Sequence, residues 1–139
     1  MKISTKGRYA LRLMIDIAVH DGEGFISLKD VAERQGISAK YLEQIVGTLN
    51  KAGLLRSGRG PQGGYQLARA PEQYTVGSIL RLTEGNLAPV ACLGDPENRC
   101  DRCGECATLD FWTGLYTTVN AYVDRFTLAD LVREQKEKS

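Results

Sequence analysis

All four cysteines of the chain fall in the stretch CLGDPENRCDRCGEC, residues 92–106. Cys92, Cys100, Cys103 and Cys106 follow the spacing C-x7-C-x2-C-x2-C. A two-residue gap lets a backbone turn aim neighbouring thiolates at one centre, as ferredoxin-type cluster runs and zinc ribbons do. Three thiols in seven residues, with a fourth from across a loop, match a cluster run better than the two separated pairs of a zinc ribbon. The first expectation is therefore an iron–sulfur cluster, 2Fe-2S or 4Fe-4S, ahead of zinc. Reduced thiols without metal and a disulfide switch are the alternatives. Arg99, Arg102 and nearby backbone N–H groups could balance thiolate charge, though charged residues also simply keep a loop soluble. The single histidine, His20, lies far from the cluster and is not expected to be a ligand. No base and nucleophile pair and no phosphate-binding loop is present, which argues against an enzyme.

A second chemistry is written in the first half of the chain. Net charge is only +1, but residues 1–69 carry eleven Lys and Arg against six Asp and Glu, whereas residues 70–139 carry seven against eleven. The basic half can face a nucleic acid; the acidic half cannot do so as readily. Within it, Ser38, Lys40, Tyr41, Glu43 and Gln44 sit at the start of an expected helix. Lys40 can neutralise a phosphate or donate to guanine, Gln44 can pair with adenine, and Glu43 can accept from cytosine. Ser38 and the helix N-terminus can hold a phosphate. Arg59, between two glycines, suits a narrow minor groove, with Arg56 bracing the backbone nearby. Each residue also has a bland role open to it: Ser38 as a helix cap, Tyr41 as interhelical packing, Lys40 and Glu43 as a solvated face.

The elements that must position these groups follow from apolar spacing and caps. A first helix begins near Ser4 and runs through Ala10, Leu11, Leu13, Met14, Ile17 and Ala18 to the breaker DGEG at 21–24. Ser27 caps a short second helix, with Asp30 three positions on and Gly36 at its end. Ser38 caps a third, whose inner stripe is Leu42, Ile45, Val46 and Leu49 and whose end is marked by Gly53. Two short helices joined by QGIS make a helix-turn-helix. LLRS and YQLAR read as strands around the glycine-rich tip GRGPQGG, which makes a wing. Thr75 caps a fourth helix expected to bury Val76, Ile79, Leu80 and Leu82.

Beyond the cysteines, Leu109, Trp112, Leu115, Tyr116, Val119, Tyr122, Val123 and Phe126 recur at helical intervals on one long aromatic stripe. Its threonines and Gly114 are poor helix formers, so packing against a partner is expected to hold it, most simply a second copy of the same helix. Thr127 caps a last helical piece, LADLVREQ, before the tail KEKS frays. The N-terminus has no continuous apolar run, so the reading is a soluble, cytoplasmic protein with no membrane segment.

STKGRYAL, SLKDVAERQGIS, YLEQIV, LNKAGLL, RGPQGGYQLAR and TVGSILRLTEG together resemble the Rrf-two family of bacterial winged-helix regulators across residues 1–85. The similarity continues more weakly through the cysteine loop and the helix with Trp112. The resemblance implies a homodimer packed through its long C-terminal helices, with helix-turn-helix units in two major grooves and wings in the flanking minor grooves. It implies operator contacts from Ser38, Tyr41, Glu43, Gln44 and Arg59, with Lys40 standing where the family has serine. Cluster-binding members use three cysteines, matched here by Cys92, Cys100 and Cys106, with a longer first gap. Leu109 occupies the position of the histidine ligand some members have, so Cys103 or a residue outside the loop would complete the set.

The fold expected is mainly α: a winged helix-turn-helix domain at 1–85 with a two-stranded β wing, a cysteine-rich loop at 86–107, and a dimerisation helix with tail at 108–139. The function expected is a dimeric, double-stranded-DNA-binding transcription regulator, a repressor, sensing iron–sulfur supply, oxidants or nitric oxide. The rival is a metal-free or zinc-containing regulator controlled by thiol oxidation or by a protein partner from cysteine metabolism.

Overall fold

A computed structural model describes residues 2–61 and 63–139. Six helices and one hairpin follow in the order α1 (Thr5–Val19), α2 (Leu28–Gln35), α3 (Ala39–Lys51), β1 (Leu55–Gly58), β2 (Gly64–Leu67), α4 (Val76–Glu84), α5 (Leu109–Arg125) and α6 (Leu128–Lys138), with short 3-10 turns at Pro71–Gln73 and Ala91–Leu93.

Hydroxyl caps start five of the helices, each accepting a backbone N–H that the helix itself leaves without a partner. Ser4 accepts from Gly7, Ser27 from Asp30, Ser38 from Tyr41 and Thr75 from Ser78, at 3.0–3.1 Å. Thr127 and Asp130 form a full capping box at α6. Gly36 ends α2 in the left-handed region, at φ 65°, and returns its N–H to Ala32. That turn delivers α3 to the surface.

One core unites α1 to α4 and α6. Leu13, Met14 and Ile17 of α1, Val31 of α2, Leu42, Ile45 and Leu49 of α3, Ile79 of α4 and Leu128 of α6 are all essentially inaccessible to solvent. Each such aliphatic side chain contributes about 1.5–3 kcal/mol on removal from water. The sequence expectation of a fraying tail is corrected here: α6 continues to Lys138, and Leu128 and Val132 enter the same core as α1. Leu82, expected inside, is half-buried, because the inner face of α4 is filled by Val76, Ile79 and Leu80.

The wing pairs antiparallel in the register Leu55↔Leu67 to Gly58↔Gly64. Relative to the expected strands, the first begins and ends one residue later, the second begins one residue earlier and ends two earlier, and Ile26 adds a further contact by exchanging both main-chain hydrogen bonds with Tyr65 at 2.8 Å. Gly64, at φ 150°, leaves no room for a Cβ against the Ile26 carbonyl. At the wing base, buried Tyr74 donates its hydroxyl to the Leu54 carbonyl at 2.6 Å and accepts from the N–H groups of Ala68 and Arg69 at 3.1 Å. A second apolar cluster, Val76, Leu80 and Leu87, receives Tyr116, Val119 and Val123 from α5 and Phe126 from just beyond its end. No residue of α5 is fully buried, and Phe111 and Tyr122 are 66% and 57% exposed.

Candidate nucleic-acid interface and cysteine loop

The start of α3 is a polar platform. Lys40, Glu43 and Gln44 are exposed at i, i+3 and i+4, on the face opposite Leu42, Ile45, Val46 and Leu49. The helix N-terminus adds a partial positive charge and free N–H groups there. Ser38 is both exposed and the helix cap. Tyr41 is half-buried, its ring edge-on to Tyr9 with centroids 5.7 Å apart, and the Arg12 guanidinium lies 5.3 Å from the Tyr9 centroid. Tyr41 thus has a packing role, with its remaining surface open to a ligand.

α3 is aimed by an ion pair inside the head. Asp16, on the buried side of α1, takes two bonds from Arg34 Nε at 3.1–3.2 Å, one from Arg34 Nη2 at 2.6 Å, and one from Gln35 Nε2 at 2.9 Å. The hydrogen bond to Asp16, stronger than the opposing cost of burial, raises the Arg34 pKa above its ordinary value. Arg12 adds bonds to the Gln35 side chain and carbonyl. Together these groups fix the last turn of α2, and with it the turn into α3. His20 is half-buried, with Nδ1 2.8 Å from the Asp16 carbonyl oxygen.

In the wing, Arg59 is exposed at the tip, followed by Gly60 at φ 87°. Arg56 is exposed on β1, and its Nη2 donates to the Ala68 carbonyl at 3.3 Å, so it braces the hairpin base. Phe25 lies across the hairpin at Gly58, where an added Cβ would approach its ring to 2.8 Å.

The cysteine loop joins α4 to α5. All four thiols are free, Cys92 half-buried and Cys100, Cys103 and Cys106 exposed. The first x2 gap forms a turn, in which Cys103 N–H donates to the Cys100 carbonyl at 3.1 Å, and the Asn98 side chain accepts from Cys100 N–H at 2.9 Å. Cys106 lies 3.2 Å from the Thr108 hydroxyl at the start of α5. That contact, then the Thr108 backbone N–H, lowers the thiol pKa against a small desolvation effect. Among the described residues, no group of three or more His, Cys, Asp or Glu side chains is gathered around one point. The donor chemistry nonetheless fits an iron–sulfur cluster: four thiols within one loop, none committed to a disulfide.

α5 is bolted to the head at its far end. Arg81 of α4 holds Asp124 through two bonds of 2.8 Å and Asn120 through a third of 2.8 Å. Hydrogen bonding within the pair raises the Arg81 pKa and lowers that of Asp124. Main-chain bonds of 2.9 Å from Val76 N–H to Phe126 and from Leu128 N–H to Tyr74 lock the joint into α6.

Sequence reasoning placed the α3 platform, the wing arginine and the thiols, but missed Asp16, Tyr74 and Arg81. Asp16 had a signal: it falls in phase with Leu13 and Ile17, and an acid on an apolar stripe requires a buried partner. Tyr74 and Arg81 carried none, since Leu54, Asn120 and Asp124, with which they pair, lie 20 or more residues away.

The sequence profile of the Rrf2 family, described as an iron-dependent transcriptional regulator, matches residues 3–134. The chain is 44% identical over 135 residues to protein rrf2 of Nitratidesulfovibrio vulgaris, across 96% of this chain and 89% of that protein. Among solved structures it is similar to CymR, the global cysteine regulator of B. subtilis, with a TM-score of 0.81 and 42% identity over 96% of this chain and 98% of that one. It is similar also to T. potens IscR, with a TM-score of 0.79 and 41% identity over 100% and 91%. No helix among the described residues is long and apolar enough to cross a membrane.

Proposed function

The chain belongs to the Rrf2 family of transcriptional regulators, and from that premise we propose that it is a homodimeric repressor whose cysteine loop holds an iron–sulfur cluster that sets operator occupancy. The observation that carries the sensing half is the loop itself: four free thiols leading directly into the first turn of α5. Cys92, Cys100 and Cys106 would hold the cluster, with Cys103 or a residue outside the loop as the fourth ligand. When bound, the cluster supplies a centre that iron–sulfur supply, oxidants or nitric oxide can build or dismantle.

Everything else is the work of the chain. Ser38, Lys40, Tyr41, Glu43 and Gln44 would enter a major groove, Arg59 would follow the adjacent minor groove, and Arg56 would hold the wing base. The exposed stripe of α5, with Phe111 and Tyr122 outward, would pack on a second copy, giving two heads for a two-fold symmetric site. Gathering the thiols would pull the loop against α5. A coupling of about 2.7 kcal/mol changes affinity about 100-fold.

A second reading, control by thiol oxidation with or without zinc, is favoured by the exposure of Cys100, Cys103 and Cys106. One experiment separates the two. Protein purified without oxygen is examined by ultraviolet–visible spectroscopy with iron, sulfide and zinc analysis, then by gel shift with and without its metal. A brown protein with matched iron and sulfide, losing both in Cys106→Ser and changing operator affinity when stripped, supports the cluster. Stoichiometric zinc, or no metal after reconstitution, overturns it.

A further inference from the structure

The joint between α4 and α5 carries more tertiary hydrogen bonds than the opposite end of the long helix. Three side-chain bonds from Arg81 and two main-chain bonds fix residues 120–128, whereas Phe111, near the other end of α5, is mostly exposed. Gly77 completes the fit. An added Cβ there would run into the Asp124 carboxylate and come within 2.8 Å of the Arg81 guanidinium and 3.0 Å of Val123. A glycine inside a helix is less favourable than alanine, so its presence marks the close approach of α5.

We propose that Arg81, Asp124 and Asn120, seated over Gly77, are positioning residues that set the separation of the two reading heads and therefore the operator spacing the dimer accepts. The inference rests on the dimeric reading above. α5 packs on α4 and α4 packs on α3. The recognition helix therefore lies two helix-packing distances, about 16–20 Å, from the dimer helix. Over that arm a rotation of about 10° at the joint moves the reading surface by about 3 Å, close to the rise of one base pair. Inserting one base pair also turns one half-site by about 35° relative to the other. A rigid joint cannot follow that change, and a loosened one can.

The operator is recovered with the wild-type protein by selection from a random duplex library, and one base pair is then inserted or deleted at its centre. Wild-type protein is expected to lose about tenfold in affinity on either change, within the range a single imperfect contact costs. Arg81→Gln and Asp124→Asn are expected to lose less than about threefold, while binding an isolated half-site as wild type does and sedimenting as dimers. Asp124→Asn keeps the shape of the side chain, so the test survives if Arg81→Gln does not fold. The charge swap Arg81→Asp with Asp124→Arg is expected to restore the full penalty. A general loss of stability would weaken binding to all the DNAs alike, the isolated half-site included. Dimeric variants that keep the wild-type penalty overturn the inference alone. A wild-type chain that sediments as a monomer, free and on its operator, overturns the dimeric reading and the inference with it.

Discussion

Replacing Tyr74 with phenylalanine removes one oxygen from the base of the wing and leaves the ring in place. That oxygen makes three hydrogen bonds, to the carbonyl of Leu54 and the N–H groups of Ala68 and Arg69, and the side chain is 1% exposed. The Ala68 N–H also reaches the Leu54 carbonyl at 3.3 Å, so those two groups retain each other. The Arg69 N–H loses the bond it makes to the hydroxyl. A typical net hydrogen bond contributes about 1 kcal/mol; three are lost and the Ala68–Leu54 bond offsets about one of them, which places Tyr74→Phe at about 2 kcal/mol of destabilisation. For 139 residues the unfolding entropy converts this to a fall in Tm of about 7 °C. Urea titration followed by circular dichroism checks it, at one fixed protein concentration because dimerisation would shift the midpoint by mass action. The midpoint should fall with the slope unchanged. A loss below about 0.5 kcal/mol would show that the hydroxyl only fills space and that the wing base is held by the strands alone.

Three further outcomes are expected. Arg59→Ala should weaken operator binding by about 1–2 kcal/mol and reduce the salt dependence by about one charge, measured by fluorescence anisotropy across a salt series. Gly64→Ala should break the exchange between Ile26 and Tyr65 and cost about 1–3 kcal/mol, read by the same urea titration, because the residue is at φ 150° and its Cβ would face the Ile26 carbonyl. Asp124 has its pKa lowered by Arg81, so the pair contributes its full stability above the ordinary aspartate value of 3.8 and loses it as pH falls through the depressed folded value. The stability gap between wild type and Asp124→Asn should thus be constant near neutrality and close in acid, as checked by unfolding at a series of pH values.

Helix starts were legible from the sequence because capping is local: Ser4, Ser27, Ser38, Thr75 and Thr127 each accept a backbone N–H within three residues. The hairpin was legible from its glycines, but not its register, which depends on Ile26 arriving from between α1 and α2. Asp16 with Arg34, Arg81 with Asp124, and Tyr74 with Leu54 are tertiary choices, and no spacing rule links residues that far apart. The thiols were legible as a set of donors. Their turns are fixed by local hydrogen bonds, whereas drawing four sulfurs to one point needs the attraction of a ligand, a force that sequence pattern alone does not supply.

The return of α6 to α1 bears on how the protein is made. Leu128 and Val132 complete the core that Leu13, Met14 and Ile17 begin. The recognition helix, the wing, the cysteine loop and α5 all leave the ribosome before that closing pair arrives. A nascent chain therefore holds a DNA-reading surface on an unfinished core, with an apolar strip of α1 exposed to chaperones until α6 docks. Because first and last helices make the closing contact, the reading unit carries a high sequence separation for a helical protein, and its folding should be slower than its small size suggests.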